Sequence, residues 1–376
     1  METRILGVTS SEIRFSPRST DGHPYDDPVL EMDEPTKSTI LEAASKIQDD
    51  QVISFPTETV YGLGANALSS EAVSKIYAAK NRPPDNPLIL HISSLKSLRA
   101  LLPSGESIPS IYDSLIAAFW PGPLTIILPL DQKSSGISPL CTSGQSTFAV
   151  RMPSHPLALA LLHASGVPLA APSANTSTRP SPTTAQHVHH DLKGLIPIIL
   201  DGGPCSVGLE STVVDGTVRP PQVLRPGGLS IEQIRAVPGW SSTILYRPTA
   251  TSVNEVPRTP GMKYRHYSPT ARIVLFESTA AFPTAESLAQ LGVHLEALAI
   301  CRTRRWPIGM YKCFGPNVIE RALGHSGQLI SRNLFAVLRD LDDRAIKAVL
   351  VEGIAEGNEG LAVMNRLRKA ATVVIH

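Results

Sequence analysis

Val52-Ile-Ser-Phe55, Pro56-Thr-Glu-Thr-Val-Tyr-Gly-Leu-Gly64, Ala72-Val-Ser-Lys-Ile-Tyr-Ala-Ala79, Lys80-Asn-Arg-Pro-Pro84 and Leu88-Ile-Leu-His-Ile92 follow one another closely, and their order decides the fold class. The first is a short apolar run of strand length. The second is a polar loop. In the third, Val73, Ile76 and Tyr77 share one face at helical spacing, behind Ser70 and Glu71, which suit a helix start. Pro83 and Pro84 cannot continue that helix. Leu88–Ile92 is again strand-like. Strand, loop, helix and strand in succession read as a sheet with helices packed on it.

The pattern extends in both directions. Upstream, Ile40, Leu41, Ala44 and Ile47 predict a helix over Lys37–Asp49, and Thr3–Leu6 reads as a first strand followed by a polar loop. Downstream, strands are expected at Leu124–Leu128, Phe148–Met152, Pro168–Ala171, Ile196–Leu200, Ser211–Val214 and Gln222–Leu224. Ser230 and Gln233 form a capping box for a helix over Ile231–Val237. Helices separate only some of the strands, so residues 1–240 are expected to form an α/β domain with a twisted mixed sheet flanked by helices. Apolar periodicity stops over residues 241–270, where Pro248, Pro257, Pro260 and Pro269 mark a linker or lid. It restarts over residues 271–376. Strands Ile273–Phe276, Leu298–Cys301, Ala348–Val351 and Thr372–Ile375 alternate with helices Thr284–Leu291, Gln328–Leu341 and Gly360–Ala370. That alternation predicts a small, mostly parallel, three-layer, Rossmann-like C-terminal α/β domain.

Composition narrows the function classes. The chain has 376 residues, 42% hydrophobic, enough for two cores. A net charge of +1 points to no overall attraction to nucleic acid or membrane, although a local basic cleft is compatible with it. Cys141, Cys205, Cys301 and Cys313 form no C-x-x-C pair and read as reduced thiols in the cytosol. No run of about 20 apolar residues is present to span a membrane. Arg4, Arg14 and Arg18 faintly resemble a mitochondrial presequence, against which Glu2, Glu12 and the acidic Asp21–Asp27 stretch weigh. The expected location is the cytoplasm, with a minor mitochondrial share left open.

Two motifs mislead. Gly62-x-Gly64-x-x-Ala67 has a dinucleotide-binding pattern, but a polar loop separates it from the strand and the next helix starts only near Ser70. His187-x-His189-His190 lacks carboxylate or cysteine partners at defined spacing and reads as a solvated helix face. A third cluster carries more. Lys80-x-Arg82 ends a helix, while Arg151, Ser173-Ala-Asn175 and Arg225-Pro-Gly-Gly follow strands. Polar residues at strand ends are where open α/β sheets take ligands. Several cations with neutral Ser and Asn suit a polyphosphate.

Longer motifs join these residues. Pro56–Gly64, Lys80-Asn-Arg-Pro-Pro-Asp-Asn-Pro-Leu-Ile-Leu-His91, Phe119-Trp-Pro-Gly-Pro-Leu-Thr125, Val150-Arg-Met-Pro153, Ala171-Pro-Ser-Ala-Asn175 and Glu210-Ser-Thr-Val-Val-Asp215 closely resemble the threonylcarbamoyl-AMP synthases with a YrdC-like domain. Pro260-Gly-Met-Lys-Tyr-Arg-His-Tyr-Ser-Pro269 and the C-terminal part resemble the long, two-domain branch of that family. The resemblance runs from about residue 37 onward. Asn81 and Pro84 depart from the usual Gly and Leu, and neither change removes a charged ligand. It implies a nucleotidyltransferase that makes threonylcarbamoyl-AMP and pyrophosphate from L-threonine, bicarbonate or CO2, and ATP with Mg2+. A separate transferase complex would then modify an adenosine of tRNA. By motif, Lys80, Arg82, Ser173 and Asn175 would cradle the nucleotide phosphates. Asn86, Thr147, Ser181, Arg225 and the linker's Tyr264 would add ATP contacts. Thr59, His91, Arg151, Ala171 and Ser211 would form the L-threonine pocket, with no metal ligand from a side chain.

The residue types agree with that chemistry. A carbamate attacking a phosphate brings negative charge to negative charge, so the site must neutralise and position, which Lys80, Arg82 and Arg225 suit. Arg151 suits a bidentate clamp on a carboxylate. Two other readings compete: a non-catalytic RNA-binding module on the same basic concavity, and a carbamoyltransferase acting on another substrate. An aromatic fraction of 5% disfavours the first, and the Thr59, His91 and Ser211 set disfavours the second.

Overall fold

In a computed structural model, which describes residues 1–17, 23–103, 105–247 and 267–376, most expected elements form with their ends shifted by a residue or two. The first long helix runs Glu34–Gln48, capped by Asp33, whose carboxylate accepts from Thr36 N–H. It packs Ile40, Ala43, Ala44 and Ile47 against helix Pro156–Ser165. That second helix went unnamed from the sequence because Leu157–Leu162 is apolar all round and has no period to read. The capping box of Ser230 and Gln233 is present, on helix Ile231–Arg235.

The chain divides into two compact units. One takes Met1–Ser177, Pro182–Ser206 and the chain from Glu210 to the undescribed stretch. Its main sheet is mixed, in the order Arg4–Gly7, Ile198–Asp201, Ile53–Phe55, Gly62–Asn66, Leu169–Ala170, Ile89–His91, Thr147–Arg151, Leu124–Pro129, Thr212–Asp215, Gln222–Arg225 and Ile244–Leu245. Gly62–Asn66 replaces the end of the loop expected through Gly64 and pairs antiparallel with Ile53–Phe55. The reason is steric. A Cβ on Gly64 would lie 2.6 Å from the Phe55 ring, so the glycine lets the strand close over that ring. The G-x-G pattern is therefore a packing device. The unit also runs past residue 240. Trp240 is buried and donates to Ile111 O (2.8 Å), and Ile244–Leu245 adds a strand beside Gln222–Arg225.

The second unit comprises Thr178–Ser181, Val207–Leu209 and the chain from the undescribed stretch to His376. Its five strands are all parallel, in the order Ile319–Ala322, Leu298–Arg302, Ala348–Glu352, Arg272–Phe276 and Val373–Ile375. Helix Gly327–Asp343 buries Ile330, Leu334, Phe335, Leu338 and Leu341, an apolar stripe at three- and four-residue spacing. Nothing in the sequence assigned the two short segments near residues 180 and 208 to this unit. Among the described residues, no helix is long and apolar enough to cross a membrane.

Candidate active site

Sheet register builds one half of the site. His91, Arg151 and Thr125 are partners across adjacent strands, Thr125 is opposite Val213, and Val213 is opposite Arg225. One rung thus brings together residues from five strands scattered over 135 positions of sequence. Two residues along from His91, Arg151 and Thr125, where side chains return to the same face, stand Ile89, Ala149 and Ile127. These form an apolar cluster with Val213, so this face is apolar at one end and polar at the rung.

The rung is wired by buried hydrogen bonds. Arg151 Nη1 donates to Thr59 Oγ1 (2.8 Å), Nη2 to Glu58 Oε1 (2.5 Å) and Nε to Gly122 O (3.2 Å). Glu58 Oε2 also accepts from Ser154 N–H. Arg151 and Glu58 form a buried ion pair, so the arginine's charge is already balanced. Every nitrogen of the guanidinium has a protein partner, and each Nη keeps a second N–H beyond its bond to Thr59 or Glu58. Thr59 Oγ1 lies 2.7 Å from Thr57 Oγ1, which donates to Val60 O.

His91 is buried, and its Nδ1 lies 3.1 Å from Ile89 O. A carbonyl partner makes Nδ1 the protonated nitrogen. Burial, with the nearby Arg151 charge, pushes the imidazole pKa down to about 3. The ring is therefore neutral, with Nε2 as an acceptor. Ser211 Oγ pairs with Thr125 Oγ1 (2.8 Å), and Arg225 Nη2 donates to both Ser211 O (2.9 Å) and Ser211 Oγ (3.0 Å). Gly227 makes this turn close: a Cβ there would lie 2.3 Å from Glu210 O. Ala171 N–H donates to Ile89 O beside the His91 ring's anchor.

The other half is a cradle around Lys80, the last residue of helix Ser70–Lys80. Asn81 takes a left-handed φ of 50°, ending the helix and turning Arg82 back so that its N–H bonds Tyr77 O. Lys80 Nζ donates to Ser173 O and to Asn175 O (2.6 Å) and approaches Asn175 Oδ1 (3.5 Å). Ser173 Oγ donates to the same Oδ1 at 2.5 Å. Lys80, Ser173 and Asn175 are thus one buried hub. Arg82 Nη2 donates to Asn86 O and Pro87 O, both at 3.2 Å. Asn86 Oδ1 is buried and makes no hydrogen bond to the described residues. The loop Pro56–Tyr61 joins the two halves, since Thr59 bonds Arg151 while Tyr61 O accepts from Ala174 N–H (2.8 Å).

The structure therefore brings Thr59, His91 and Arg151 together, couples Ser211 to Arg225, and gathers Lys80, Ser173 and Asn175. Arg82 and Asn86 lie side by side. Thr147 is partly buried at the start of the Arg151 strand, opposite Pro129. Ser181 is buried but belongs to the second unit. Tyr264 lies outside the described residues. Sequence reasoning assigned no part to Glu58, Thr57 or Thr125, although the motifs contain them; their partners are up to 96 residues away in the chain. His187 Nδ1 accepts from Thr183 N–H and His190 Nδ1 lies 3.1 Å from Asp191, which places the histidine tract in ordinary helix-surface contacts.

Comparison with known proteins identifies this arrangement. A family described as Telomere recombination (Sua5, YciO and YrdC) matches residues 45–227, and the threonylcarbamoyl-AMP synthase C-terminal domain matches residues 229–372. The threonylcarbamoyl-AMP synthase of Schizosaccharomyces pombe is 48% identical over 100% of this chain and 98% of its own. That of Bacillus subtilis is 44% identical over 88% of this chain and 92% of its own. The crystal structure of P. abyssi Sua5 complexed with L-threonine superposes with a TM-score of 0.80 at 37% identity, covering 99% of this chain and 100% of that one. Matches this long and this similar, on a chain whose two units both have counterparts, show that it belongs to the threonylcarbamoyl-AMP synthase family.

Proposed function

We propose that the chain makes L-threonylcarbamoyl-AMP. The threonine amine attacks CO2, losing a proton and forming a carbamate; starting from bicarbonate, water also leaves. A carbamate oxygen then attacks the α-phosphorus of ATP, the bond to the bridging oxygen breaks, and pyrophosphate departs. Mg2+ enters with ATP as part of that substrate. The observation that carries this reading is the joining of the buried polar rung of His91, Arg151 and Thr125 to the Lys80 hub through the loop Pro56–Tyr61.

Each half has a distinct task. The Lys80 hub fixes the Ser173–Asn175 turn, so hydroxyl and amide groups are pre-set for phosphate oxygens. Arg82 and Arg225 supply charge where pyrophosphate develops. Neutral His91 offers Nε2 to the threonine hydroxyl or amine, which an imidazolium could not do. Arg151 offers the second N–H of its Nη atoms to the threonine carboxylate while it holds Thr59 and Glu58. Thr147 adds an ATP contact, and Ala171 and Ser211 bound the threonine side chain.

The product would pass to a tRNA threonylcarbamoyl transferase complex. Four cysteines without disulfide partners suit the cytoplasm. The test is pyrophosphate release as a function of threonine and bicarbonate, with thermal stability measured alongside. ATP plus threonine should raise Tm more than either alone. No threonine-dependent pyrophosphate and no joint stabilisation would overturn the proposal.

A further inference from the structure

In a parallel ladder neighbouring strands run the same way, so the residues that open them stand at one edge however far apart they are in the chain. In the second unit, Arg272 is in register with Ala348, and Val274 with Val373. Lys347, Arg272 and Thr372 therefore stand at the starts of three adjacent strands. With Ser268 and Thr270, which lead into the strand of Arg272, and with Arg179, they border a cleft of about 720 Å3. All of its lining residues belong to this unit. Open α/β sheets usually take ligands at the carboxyl ends of their strands. This cleft lies at the opposite edge, so the fold type does not account for it.

The cleft is cationic. Arg179 is paired with Asp342 (2.9 Å). Arg272 and Lys347 make no ion pair among the described residues, so their charges face the cleft without a carboxylate. Lys347 is exposed, as a lysine at a strand start commonly is. Arg272 is different. It is partly buried and donates from Nη1 to Gly292 O at 3.4 Å, while its Nε is buried and makes no hydrogen bond to the described residues. A guanidinium donates from all three of its nitrogens. A buried donor left without an acceptor costs free energy, and folded proteins leave few of them. An acceptor brought by a ligand would fill that place.

The rest of the lining selects the ligand. Ser268, Thr270 and Thr372 add hydroxyls, and the apolar lining is Pro269 and Ala271 alone. No aromatic side chain and no carboxylate is found among the described lining residues, so a nucleobase has no ring to stack on. Arginine, lysine and hydroxyls together suit phosphate oxygens. The volume is that of a small-molecule site and exceeds what a single phosphate needs.

We propose that this cleft is a second anion site, which binds a run of two or more phosphate groups through Arg272 and Lys347. That chemistry is shared by a free oligophosphate and by the backbone of an RNA strand. None of these residues has a part in the proposed reaction, so the site stands or falls independently of it.

The test follows the Nε–Hε NMR resonance of Arg272 in the full-length protein, assigned by its loss in Arg272→Lys. The protein is titrated at low salt with tripolyphosphate and, separately, with a short oligouridylate. The resonance should move and saturate with at least one of the two. Lys347→Gln, an exposed change that thermal unfolding should show to be harmless to the fold, should weaken the binding about fivefold, the scale of one exposed charge contact. Added salt should weaken it further. Saturation by tripolyphosphate at the lower phosphate concentration assigns the site to free oligophosphates, and saturation by oligouridylate at the lower concentration assigns it to RNA. No movement with either probe overturns the proposal. So does the same movement with sodium chloride at matched ionic strength, or an unchanged affinity in folded Lys347→Gln. The readout does not use turnover, so a failure of the proposed reaction leaves it intact.

Discussion

Replacing Lys80 with methionine is the sharpest test of the cradle. The stem volume is kept and the ammonium is lost. Two buried carbonyls, Ser173 O and Asn175 O, lose a charged donor. At ~1.5–3 kcal/mol for each charge-assisted bond, the gross loss is about 3–6 kcal/mol. Against this, the 2%-exposed ammonium no longer has to be desolvated, which returns several kcal/mol. The net destabilisation is then ~1–3 kcal/mol, or a fall in Tm of about 2–10 °C for a domain of this size. A domain with an ordinary margin of ~5–15 kcal/mol stays folded at 25 °C after such a loss. Pyrophosphate release, by contrast, should fall on the order of 100-fold or more, equivalent to about 2.7 kcal/mol of transition-state stabilisation. Lys80→Arg should not rescue it, because a planar fork cannot sit between two carbonyls shaped around a point charge. The assay pairs steady-state pyrophosphate release with thermal unfolding of the same preparation. A folded Lys80→Met enzyme within about threefold of the wild-type rate would refute the reasoning, since the hub would then be irrelevant to turnover.

Three other outcomes are expected. Serine should be a poorer substrate than threonine by roughly 10–200-fold in kcat/KM, the worth of one methyl in a small pocket, and equal efficiencies would show that the pocket does not read it. His91, pushed down to about 3, should stay neutral across the assay range, so ring NMR shifts should show no titration near pH 6.5. Because the unfolded histidine (6.5) binds its proton first on acidification, stability should rise with pH between about 3 and 6.5, by at most ~1.4 kcal/mol per pH unit. His91→Asn should flatten that slope; an unchanged slope would mean His91 titrates normally. Glu58→Ala strands the buried Arg151 charge and should cost ~3–5 kcal/mol of stability, measured by denaturant unfolding, whereas an unaltered midpoint would show that the pair is dispensable.

By itself the sequence determined the local pieces and the cast of residues. Helical spacing of Ile40, Ala44 and Ile47, the Ser230–Gln233 box and the Pro83-Pro84 stop are written into neighbouring positions, because caps and periodicity act within a turn or two. The linear motifs likewise carried Lys80, Arg151, Ser173 and Asn175. Tertiary structure decided which of these touch. Lys80 meets Ser173 and Asn175 across more than 90 residues, and Arg151 meets Glu58 across 93. Such pairings depend on strand register, which no local pattern states. The same holds for Gly64, which reads as a loop residue until Phe55 is placed against it. Burial, also a tertiary property, makes His91 neutral and turns a free-looking Arg151 into half of an ion pair. It is also what assigns Thr178–Ser181 to the second unit, because the grip of Arg339 and Asp342 on that segment spans about 160 residues of chain and leaves no mark on the sequence around it.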